Sequence, residues 1–481
     1  MNMGLIQQLT RTKAIGDADA GHGAGRLAPS FGLFSLTMLG VGATIGTGIF
    51  FVLAEAVPKA GPAVLLAFLL AGVTAGLTAL CYAELAASIP AAGSSYSYTY
   101  VTMGEFVAYL VAGCLLLEYA LSASATAIGW SAYLNNFLSN AFGISIPEAL
   151  RSPMLVHGKE GLEIHAGHIN LPPVILVILC GILLLRGAKE SATVNAIMVL
   201  LKLAVLAFFA VIAFSGFSAS NFTPFFNSSG MTGVTAAAGT VFFSFIGLDA
   251  ISTAGAEVKD PTRNVPRGIV LALIIVMTGY MLVALTALGA QPAAAFDGQE
   301  AGLSVILQQV TGQSWPAIVL SAGAVISVFS VTLVAIYGQT RILFAVSRDG
   351  LIPKTFQEVS PRTLAPVSNT VIVCILVAAV ASLVDSGYLW DMVSMGTLVA
   401  FFAVSASVPV LRAKRMGNPA GGFKVPFGPY LIPGLSMLAC LYIIKDLSAA
   451  TFTVFFCWMG VAVVGYFVYG FHRSKLAGGR S

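Results

Sequence analysis

The feature that most constrains this chain is a succession of apolar runs, each about as long as the hydrocarbon core of a bilayer is thick. A helix needs about 20 apolar residues to cross a membrane. Hydrophobic residues make up 57% of the 481 residues and charged residues only 9%, whereas soluble domains carry about 25% charged residues. The pattern therefore predicts an all-α integral membrane protein. It excludes an ordinary soluble enzyme, a disordered chain and a nucleic-acid-binding protein.

Twelve such runs can be delimited by glycine, proline and charged residues. They are predicted at 31–57, 62–88, 104–140, 172–186, 191–216, 234–256, 266–290, 315–346, 370–385, 389–412, 429–450 and 452–471. The runs fall into two consecutive groups of five and a final pair. The predicted domains are therefore an N-terminal segment at 1–30, a first group at 31–216, a second group at 234–412, the final pair at 413–471, and a tail at 472–481.

The distribution of basic residues predicts the orientation. If the N-terminus is inside, nineteen of the 24 basic residues lie on the inner side and four on the outer side, while Lys202 lies within a run. Cytoplasmic loops of membrane proteins are enriched in lysine and arginine. Both termini are therefore predicted to be cytoplasmic, in a multi-pass protein of the plasma (inner) membrane. An odd number of runs would remove this asymmetry.

Neither a metal nor a cofactor is predicted. The six cysteines lie within apolar runs, which is typical of small buried hydrophobic residues. The outer loop 141–171 carries His157, His165 and His168. Because their spacing matches no structural-zinc pattern, a solvated loop is the favoured interpretation over a zinc site.

Two runs contain residues that interrupt a helix at mid-membrane. Residues 40–48 (GVGATIGTG) hold four glycines, and residues 243–249 (FSFIGLD) place Gly247 and Asp249 in apolar sequence. Unwound backbone at this depth is tolerated only where it lines a cavity or is buried in protein. Gly42 and Gly46 form a GxxxG pair, which by itself also marks helix packing. The second interruption at the matching position of the other group favours a binding site.

The two interruptions together predict the ligand. Interrupted first helices in two repeated groups of five are typical of transporters built from inverted repeats. Exposed N–H groups at the start of a half-helix suit a carboxylate, and exposed carbonyl groups at the end of the other suit an ammonium. Since an α-amino acid carries both groups on one carbon, it would satisfy both ends.

These residues, with others along nearly the whole chain, resemble the cationic amino acid transporter family of the amino acid–polyamine–organocation superfamily. The motifs that carry the resemblance are 42–50 (GATIGTGIF), 81–85 (CYAEL), 89–94 (IPAAGS), 117–120 (LEYA), 245–250 (FIGLDA), 257–261 (EVKDP), 338–341 (GQTR), 347–351 (SRDGL) and 423–426 (FKVP). One departure is Glu55 near Lys59, where a less charged end of the first helix is expected. The role of Glu55 is left open.

The resemblance implies a LeuT-type fold: twelve transmembrane helices in a 5+5 inverted repeat, with discontinuous helices 1 and 6. It also implies a proton-coupled amino acid site. The substrate carboxylate would bind the amides of Thr47 and Gly48 and the Thr47 hydroxyl, with Gly46 allowing close approach. The ammonium would bind carbonyl oxygens from both interruptions, namely those of Thr44 or Ile45 and of Phe243 or Ile246.

Three charged residues are predicted to lie deep in the membrane. Burying a charge there costs free energy, so such residues are candidates for a functional role. Lys202 stands 11 residues into the fifth run, about 17 Å along a helix. The resemblance implies that it replaces the cation that sodium-coupled relatives hold against the first helix; a static structural cation is the alternative. Glu118 and Asp249 are predicted to attract a basic side chain or to carry protons. Their alternatives are an interhelical hydrogen bond for Glu118 and a helix cap for Asp249.

The predicted function is proton-coupled secondary active uptake of amino acids by alternating access. Basic amino acids such as arginine and lysine are favoured because of Glu118 and Asp249, and small neutral ones are the other choice. The predicted partners are the amino acid, protons and the lipid bilayer, with no nucleic acid and the oligomeric state left open. An exchanger without obligatory proton coupling is the alternative. A membrane-embedded enzyme is less favoured because no GxSxG or HExxH motif is present, and a channel because two interrupted helices suggest an occluded site.

Overall fold

The chain is built almost entirely of helices. The computed structural model describes residues 8–14, 31–89, 93–158, 161–186, 188–254, 258–299, 302–360, 365–385, 389–415 and 422–476. The helices are α1 (Leu33–Thr44), α2 (Thr47–Ala60), α3 (Val64–Ser88), α4 (Ser95–Thr102), α5 (Glu105–Phe142), α6 (Glu148–Arg151), α7 (Leu171–Arg186), α8 (Ala188–Ser215), α9 (Gly230–Phe242), α10 (Ala250–Thr253), α11 (Pro261–Ala290), α12 (Gly302–Thr311), α13 (Trp315–Arg348), α14 (Val367–Leu383), α15 (Leu389–Ala413), α16 (Leu431–Ile444), α17 (Ala449–Gly465) and α18 (Phe471–Arg473).

The described residues contain eight helical stretches that are long and apolar enough to cross a membrane, and three shorter apolar helices. The first stretch, Leu33–Ser88, holds α1, α2 and α3, and so covers the first two predicted runs. The three shorter helices are α7, α14 and α16, which coincide with the fourth, ninth and eleventh runs. These stretches agree with a multi-pass membrane protein. The count of twelve spans and the inverted repeat stay predictions.

Several short elements are absent from the sequence predictions. The loop 141–171 contains an antiparallel hairpin of β1 (Leu155–Gly158) and β2 (Gly161–Ile164), in which Leu155 pairs with Ile164. Helices α4 and α12 lie between predicted runs. Four-residue strands and helices of two or three turns carry too few residues to establish a hydrophobic period, so tertiary packing decides them.

The interrupted helices lie at the centre of the bundle. Helix α1 packs against α8 and α11, and α2 packs against α9. Helices α5 and α13, the two longest, pack against each other along their length. Each interruption is therefore enclosed by neighbouring helices, as unwound backbone in a membrane requires.

The two ends of the bundle differ in what covers them. Residues 8–14 lie at one end, where Arg11 and Ser474 both contact Glu105 at the start of α5. The β-hairpin lies at the other end, beyond the last residues of α5 and beside the end of α14. We call these the terminal end and the hairpin end.

Candidate functional site

The first interruption separates α1 from α2 by two residues. Ile45 is extended, with ψ 98°, and Gly46 has φ −144° and ψ −145°, so neither continues the helix. Helix α2 starts at Thr47 without a side-chain cap. Its first N–H groups have no acceptor within the helix and lie at the positive end of the helix dipole. The side chain of Thr47 lies outside the described part of the structure, so the role of its hydroxyl stays a prediction.

The second interruption is longer and follows α9. Residues Phe243–Phe245 form a 3-10 turn, Ile246 is extended with ψ 143°, and α10 starts at Ala250. Gly247 has φ +100°, a left-handed conformation that L-residues with a side chain rarely adopt. Asp249 precedes α10, but its side chain makes no cap hydrogen bond.

The two interruptions are in direct contact with each other. A methyl group added at Gly48 would lie 2.7 Å from Cα of Ser244, and one at Gly247 would lie 2.8 Å from the carbonyl oxygen of Ala43. Both distances are shorter than any real contact of a Cβ atom. Glycine at these two positions thus allows the start of α2 to touch the 3-10 turn and the second interruption to touch α1.

A tyrosine that the sequence analysis missed bridges both interruptions. The hydroxyl of Tyr280, on α11, lies 2.6 Å from the carbonyl oxygen of Thr44 and 2.7 Å from that of Ser244. A phenol has one proton, so it donates to one carbonyl at a time. In the sequence, Tyr280 is a single tyrosine in a long apolar run. A tyrosine that only fills the core has the same pattern, so the sequence does not reveal the bridge.

Lys202 lies against the first interruption. Its side chain is completely buried, and Nζ donates to the carbonyl oxygens of Gly42 at 3.0 Å and Ile45 at 2.6 Å. No carboxylate of the described residues forms an ion pair with it. The partners of this amine are therefore carbonyl groups at the C-terminal end of α1, where the helix dipole is negative.

Three of the four carbonyl groups predicted to bind the ammonium have hydrogen-bond partners in the described structure. Those of Thr44 and Ile45 accept from Tyr280 and Lys202 respectively. That of Phe243 accepts from the amide of Ile246 at 3.2 Å. Because a carbonyl oxygen has two lone pairs, each can still accept a bond from a substrate.

The two deep carboxylates are buried and incompletely paired. Tyr119, on α5, donates to Asp249 Oδ2 at 2.6 Å, while Oδ1 of Asp249 has no hydrogen-bond partner among the described residues. Neither oxygen of Glu118 has one either in the described part of the chain. Tyr119 was not singled out in the sequence, since its partner lies 130 residues away.

A small void lies beside the two interruptions. It is about 10 Å³ in volume, room for about one water molecule. Its wall is mainly aliphatic and includes neither Glu118 nor Asp249: Ala43, Tyr119, Ser122, Ile246, Gly247, Ala250, Val331, Val334 and Ala335.

A larger cavity of about 630 Å³ opens toward the hairpin end. Its wall includes Glu55, Lys59, Arg151, Asp297 and Asp385 as well as Trp390. Lys59 donates to the hydroxyl of Thr240 at 2.7 Å.

Between the cavity and the void stands a pair of aromatic rings. Trp390, in the wall of the cavity, meets Phe243 edge to face, with 4.3 Å between ring centroids. Both belong to an apolar cluster with Ile246, which lines the void. Trp390 and Phe243 therefore lie between the wall of the large cavity and the wall of the void.

The terminal end is closed by polar contacts. Ser94 and Ser252 share a hydrogen bond of 2.7 Å that joins the turn before α4 to α10, and Tyr82 bonds Ser95. Further out, Glu84 accepts two hydrogen bonds from Arg412, each 2.6 Å long. Glu257, in the motif 257–261, lies outside the described residues.

Two of the outer-loop histidines, His165 and His168, have described side chains. His165 and His168 stack edge to face at 5.6 Å, and His165 lies 3.6 Å from a carboxylate oxygen of Glu163. The side chain of His157 is outside the described part. The described residues contain no group of three potential metal ligands.

The known proteins that this chain resembles are permeases and transporters. A sequence profile described as amino acid permease matches residues 31–471. The chain is 40% identical over 468 residues to the branched-chain amino acid permease BcaP of Bacillus subtilis, covering 97% of this chain and 98% of that protein. It is 39% identical over 472 residues to the methylthioribose transporter of the same organism, covering 98% and 100%. It is 36% identical over 411 residues to the vacuolar cationic amino acid transporter 4 of Arabidopsis thaliana, covering 81% and 64%.

The profile covers both interruptions, Lys202 and all the helices that enclose them. The relatives are permeases and transporters, which agrees with an integral multi-pass membrane protein and supports amino acid transport. The relatives include cationic amino acid transporters, the family that the sequence motifs resemble. The chain belongs to the amino acid permease family of the amino acid–polyamine–organocation superfamily.

Proposed function

We propose that this protein is a secondary transporter that couples the uptake of an α-amino acid to protons. The substrate carboxylate binds the amides at the start of α2, namely those of Thr47 and Gly48. The ammonium binds carbonyl oxygens from both interruptions, drawn from those of Thr44, Ile45, Phe243 and Ile246. The positive end of a half-helix and the carbonyl groups of the other interruption are complementary to a zwitterion.

The observation that carries proton coupling is the position of Lys202. A charged ammonium held by two carbonyl groups of α1 attaches α1 to α8. Loss of the proton removes the charge and weakens both hydrogen bonds, because charge-assisted bonds are about twice as strong as neutral ones. Helix α1 is then less firmly held and can move away from the terminal end of the bundle. Protonation of one lysine thus biases the two conformations that alternating access needs.

The direction of access follows from the two ends of the bundle. The large cavity at the hairpin end and the contacts that close the terminal end support a conformation accessible from the hairpin end. We propose that the hairpin end is outside the cell and the termini are cytoplasmic, in a protein of twelve spans with two inverted groups of five. Entry requires that Trp390 and Phe243 separate. Release to the cytoplasm requires that the bond between Ser94 and Ser252 break.

The substrate side chain that the void favours is aliphatic. Ala43, Val331, Val334 and Ala335 give it an apolar wall, and an apolar wall excludes an unpaired charge. Among the relatives, one is a branched-chain amino acid permease. We therefore propose neutral aliphatic amino acids as the first class of substrate.

Basic amino acids are the second class. The unpartnered oxygens of Glu118 and Asp249 would attract a cation once the site expands, as the sequence analysis expected. Some relatives carry the name of cationic amino acid transporters.

Uptake into liposomes tests this function. Purified protein is reconstituted, and accumulation of radiolabelled L-leucine, L-alanine and L-arginine is measured with and without an alkaline interior. Proton coupling predicts accumulation above equilibrium only with the pH step. Accumulation that depends only on amino acid preloaded inside would instead identify an exchanger, and no uptake of any α-amino acid would contradict the proposed function.

A further inference from the structure

The buried hydroxyl of Ser244 stands out among the polar groups at the two interruptions. Ser244 is 1% exposed, and its Oγ has no hydrogen-bond partner in the described part of the structure. Other buried hydroxyl groups nearby donate to carbonyl groups: Thr44 to Gly40 at 2.8 Å, and Ser252 to Asp249 at 2.6 Å. Burying a hydroxyl without a partner costs free energy. The presence of an unpartnered hydroxyl at Ser244 therefore needs a physical explanation.

The surroundings of Ser244 hold its hydroxyl at the start of α2. The backbone carbonyl of Ser244 accepts from Tyr280 at 2.7 Å, and the residue lies within the 3-10 turn Phe243–Phe245. A methyl group at Gly48 would lie 2.6 Å from Ser244 Oγ. The hydroxyl is therefore in contact with the second residue of α2, one of the residues whose amides are free of helix acceptors.

We propose that the Ser244 hydroxyl is a further substrate ligand, which donates its proton to the carboxylate of the bound amino acid. This inference rests on the proposed function. An anion at the start of α2 would accept from the first amides of the helix, and a hydroxyl beside Gly48 would add a donor from the other interruption. The carboxylate would then be held by both interrupted helices, so its binding would draw α2 and the turn after α9 together.

The chemistry favours the carboxylate over the ammonium as the partner of this hydroxyl. A hydroxyl can donate or accept, but the start of α2 is the positive end of a helix dipole and repels an ammonium. Hydrogen bonds to charged groups contribute about 1.5–3 kcal/mol, which corresponds to roughly 10- to 150-fold in affinity at about 1.4 kcal/mol per factor of ten.

A comparison of substrates with and without the carboxylate charge tests the proposal. Binding of L-leucine, L-alanine and L-arginine, and of their carboxamides, is measured for the wild type, Ser244→Ala and Ser244→Cys. We expect Ser244→Ala to weaken binding of the amino acids roughly 10- to 100-fold and binding of the carboxamides much less. Ser244→Cys, whose thiol is a weak donor of similar size, should fall between the two.

Ser330→Ala is the matched control. Ser330 is also a buried serine on a helix beside the void, but its hydroxyl already donates to the carbonyl of Ser327 at 2.9 Å. This variant should bind the amino acids as the wild type does. Ser244→Cys keeps the packing volume, so it remains informative if Ser244→Ala fails to fold.

The outcomes separate this proposal from the proposed function. Unchanged binding of the amino acids by Ser244→Ala, or by Ser244→Cys where the alanine variant does not fold, would overturn the role of the hydroxyl. An equal loss for amino acid and carboxamide would overturn it too, because the charge of the carboxylate would then play no part. If the wild type binds none of the amino acids, the proposed function itself fails, whatever the variants do.

Discussion

Lys202 donates a hydrogen bond of 2.6 Å to the carbonyl oxygen of Ile45, the first residue after α1. The two residues lie 157 positions apart in the chain. A second bond, of 3.0 Å, reaches the carbonyl of Gly42 within the last turn of α1. One protonatable side chain of α8 is therefore attached to the half-helix that moves in the proposed transport cycle.

Replacing Lys202 by methionine should abolish uptake driven by a pH step. Methionine fills a similar volume but offers no proton and no donor, so α1 loses its attachment to α8 and the site loses its response to pH. Lys202→Arg keeps a positive charge at all accessible pH values. Uptake by this variant should therefore also lose its response to the pH step. The measurement is uptake of labelled amino acid into liposomes with an alkaline interior.

The control for this prediction is Lys445→Ala. Lys445 is half exposed at the hairpin end and pairs with Asp446 at 2.7 Å, so its removal should leave uptake within about twofold, since surface ion pairs contribute little. Driven uptake by Lys202→Met at the wild-type rate would return this lysine to a structural role.

Gly48→Ala should remove substrate binding and transport. The added methyl group would lie 2.7 Å from the backbone Cα of Ser244, and backbone cannot rotate away as a side chain can. The start of α2 would then separate from the second interruption, and the carboxylate site would be lost. Equilibrium binding and uptake of labelled amino acid are the measurements.

Gly279→Ala provides the comparison for a glycine in a helix. Gly279 lies on α11, and no atom lies within 4 Å of an added methyl group there. Alanine is favoured over glycine in a helix by about 1 kcal/mol, so this variant should transport normally. Equal activity of both alanine variants would show that contact between the interruptions is dispensable.

Asp249→Asn and Glu118→Gln should reduce the transport of arginine and lysine relative to neutral amino acids. Both carboxylates are buried and have unpartnered oxygens in the described structure, so they would attract a cationic side chain once the site expands. Asparagine at 249 can still accept from Tyr119, which preserves that contact. Competition by unlabelled arginine, lysine, leucine and alanine against one labelled substrate measures the ranking; an unaltered ranking would remove the two residues from the side-chain site.

Arg11→Ala should destabilise the protein by about 3 kcal/mol, because removing one partner of a buried ion pair leaves the other charge uncompensated. Arg11 donates to Glu105 at 2.9 Å, and Glu105 is completely buried. Burial, and then the charge of Glu105, raises the pKa of Tyr100, so its phenol remains a donor to the same carboxylate at 2.8 Å. Thermal unfolding in detergent is the measurement.

Lys13→Ala is the matched variant at the same end. Lys13 pairs with Asp349 at 2.6 Å, but both side chains are more exposed than those of Arg11 and Glu105. Its loss should therefore cost about 1 kcal/mol or less. A larger loss for Lys13→Ala than for Arg11→Ala would contradict the assignment of Glu105 as the buried charge that needs its partner.

The positions of the interruptions were predictable from sequence because their causes are local. Four glycines in residues 40–48 and Gly247 in apolar sequence weaken the helix wherever the rest of the chain lies, and the structure has its non-helical residues at 45–46 and 246–249. Lys202 and Asp249 were noticeable for a similarly local reason, since a charge in an apolar run is costly.

The groups that act on the interruptions were not predictable. Tyr280 reaches Thr44 across 236 positions, and Tyr119 reaches Asp249 across 130. A tyrosine in an apolar run has the same local pattern whether its hydroxyl bridges two interrupted helices or meets a lipid headgroup. The contact of Trp390 with Phe243 is equally non-local.

By itself, the sequence determined that the chain crosses a membrane, where its apolar runs lie and where two of them are interrupted, because hydropathy and glycine content act over a few residues. Tertiary structure alone decided that the interruptions touch at Gly48 and Ser244, that Tyr280 and Lys202 hold α1, and that the cavity lies at the hairpin end. The reason is that hydrogen bonds and close contacts have a range of a few ångströms. Which groups come within that range depends on how helices far apart in the chain pack together.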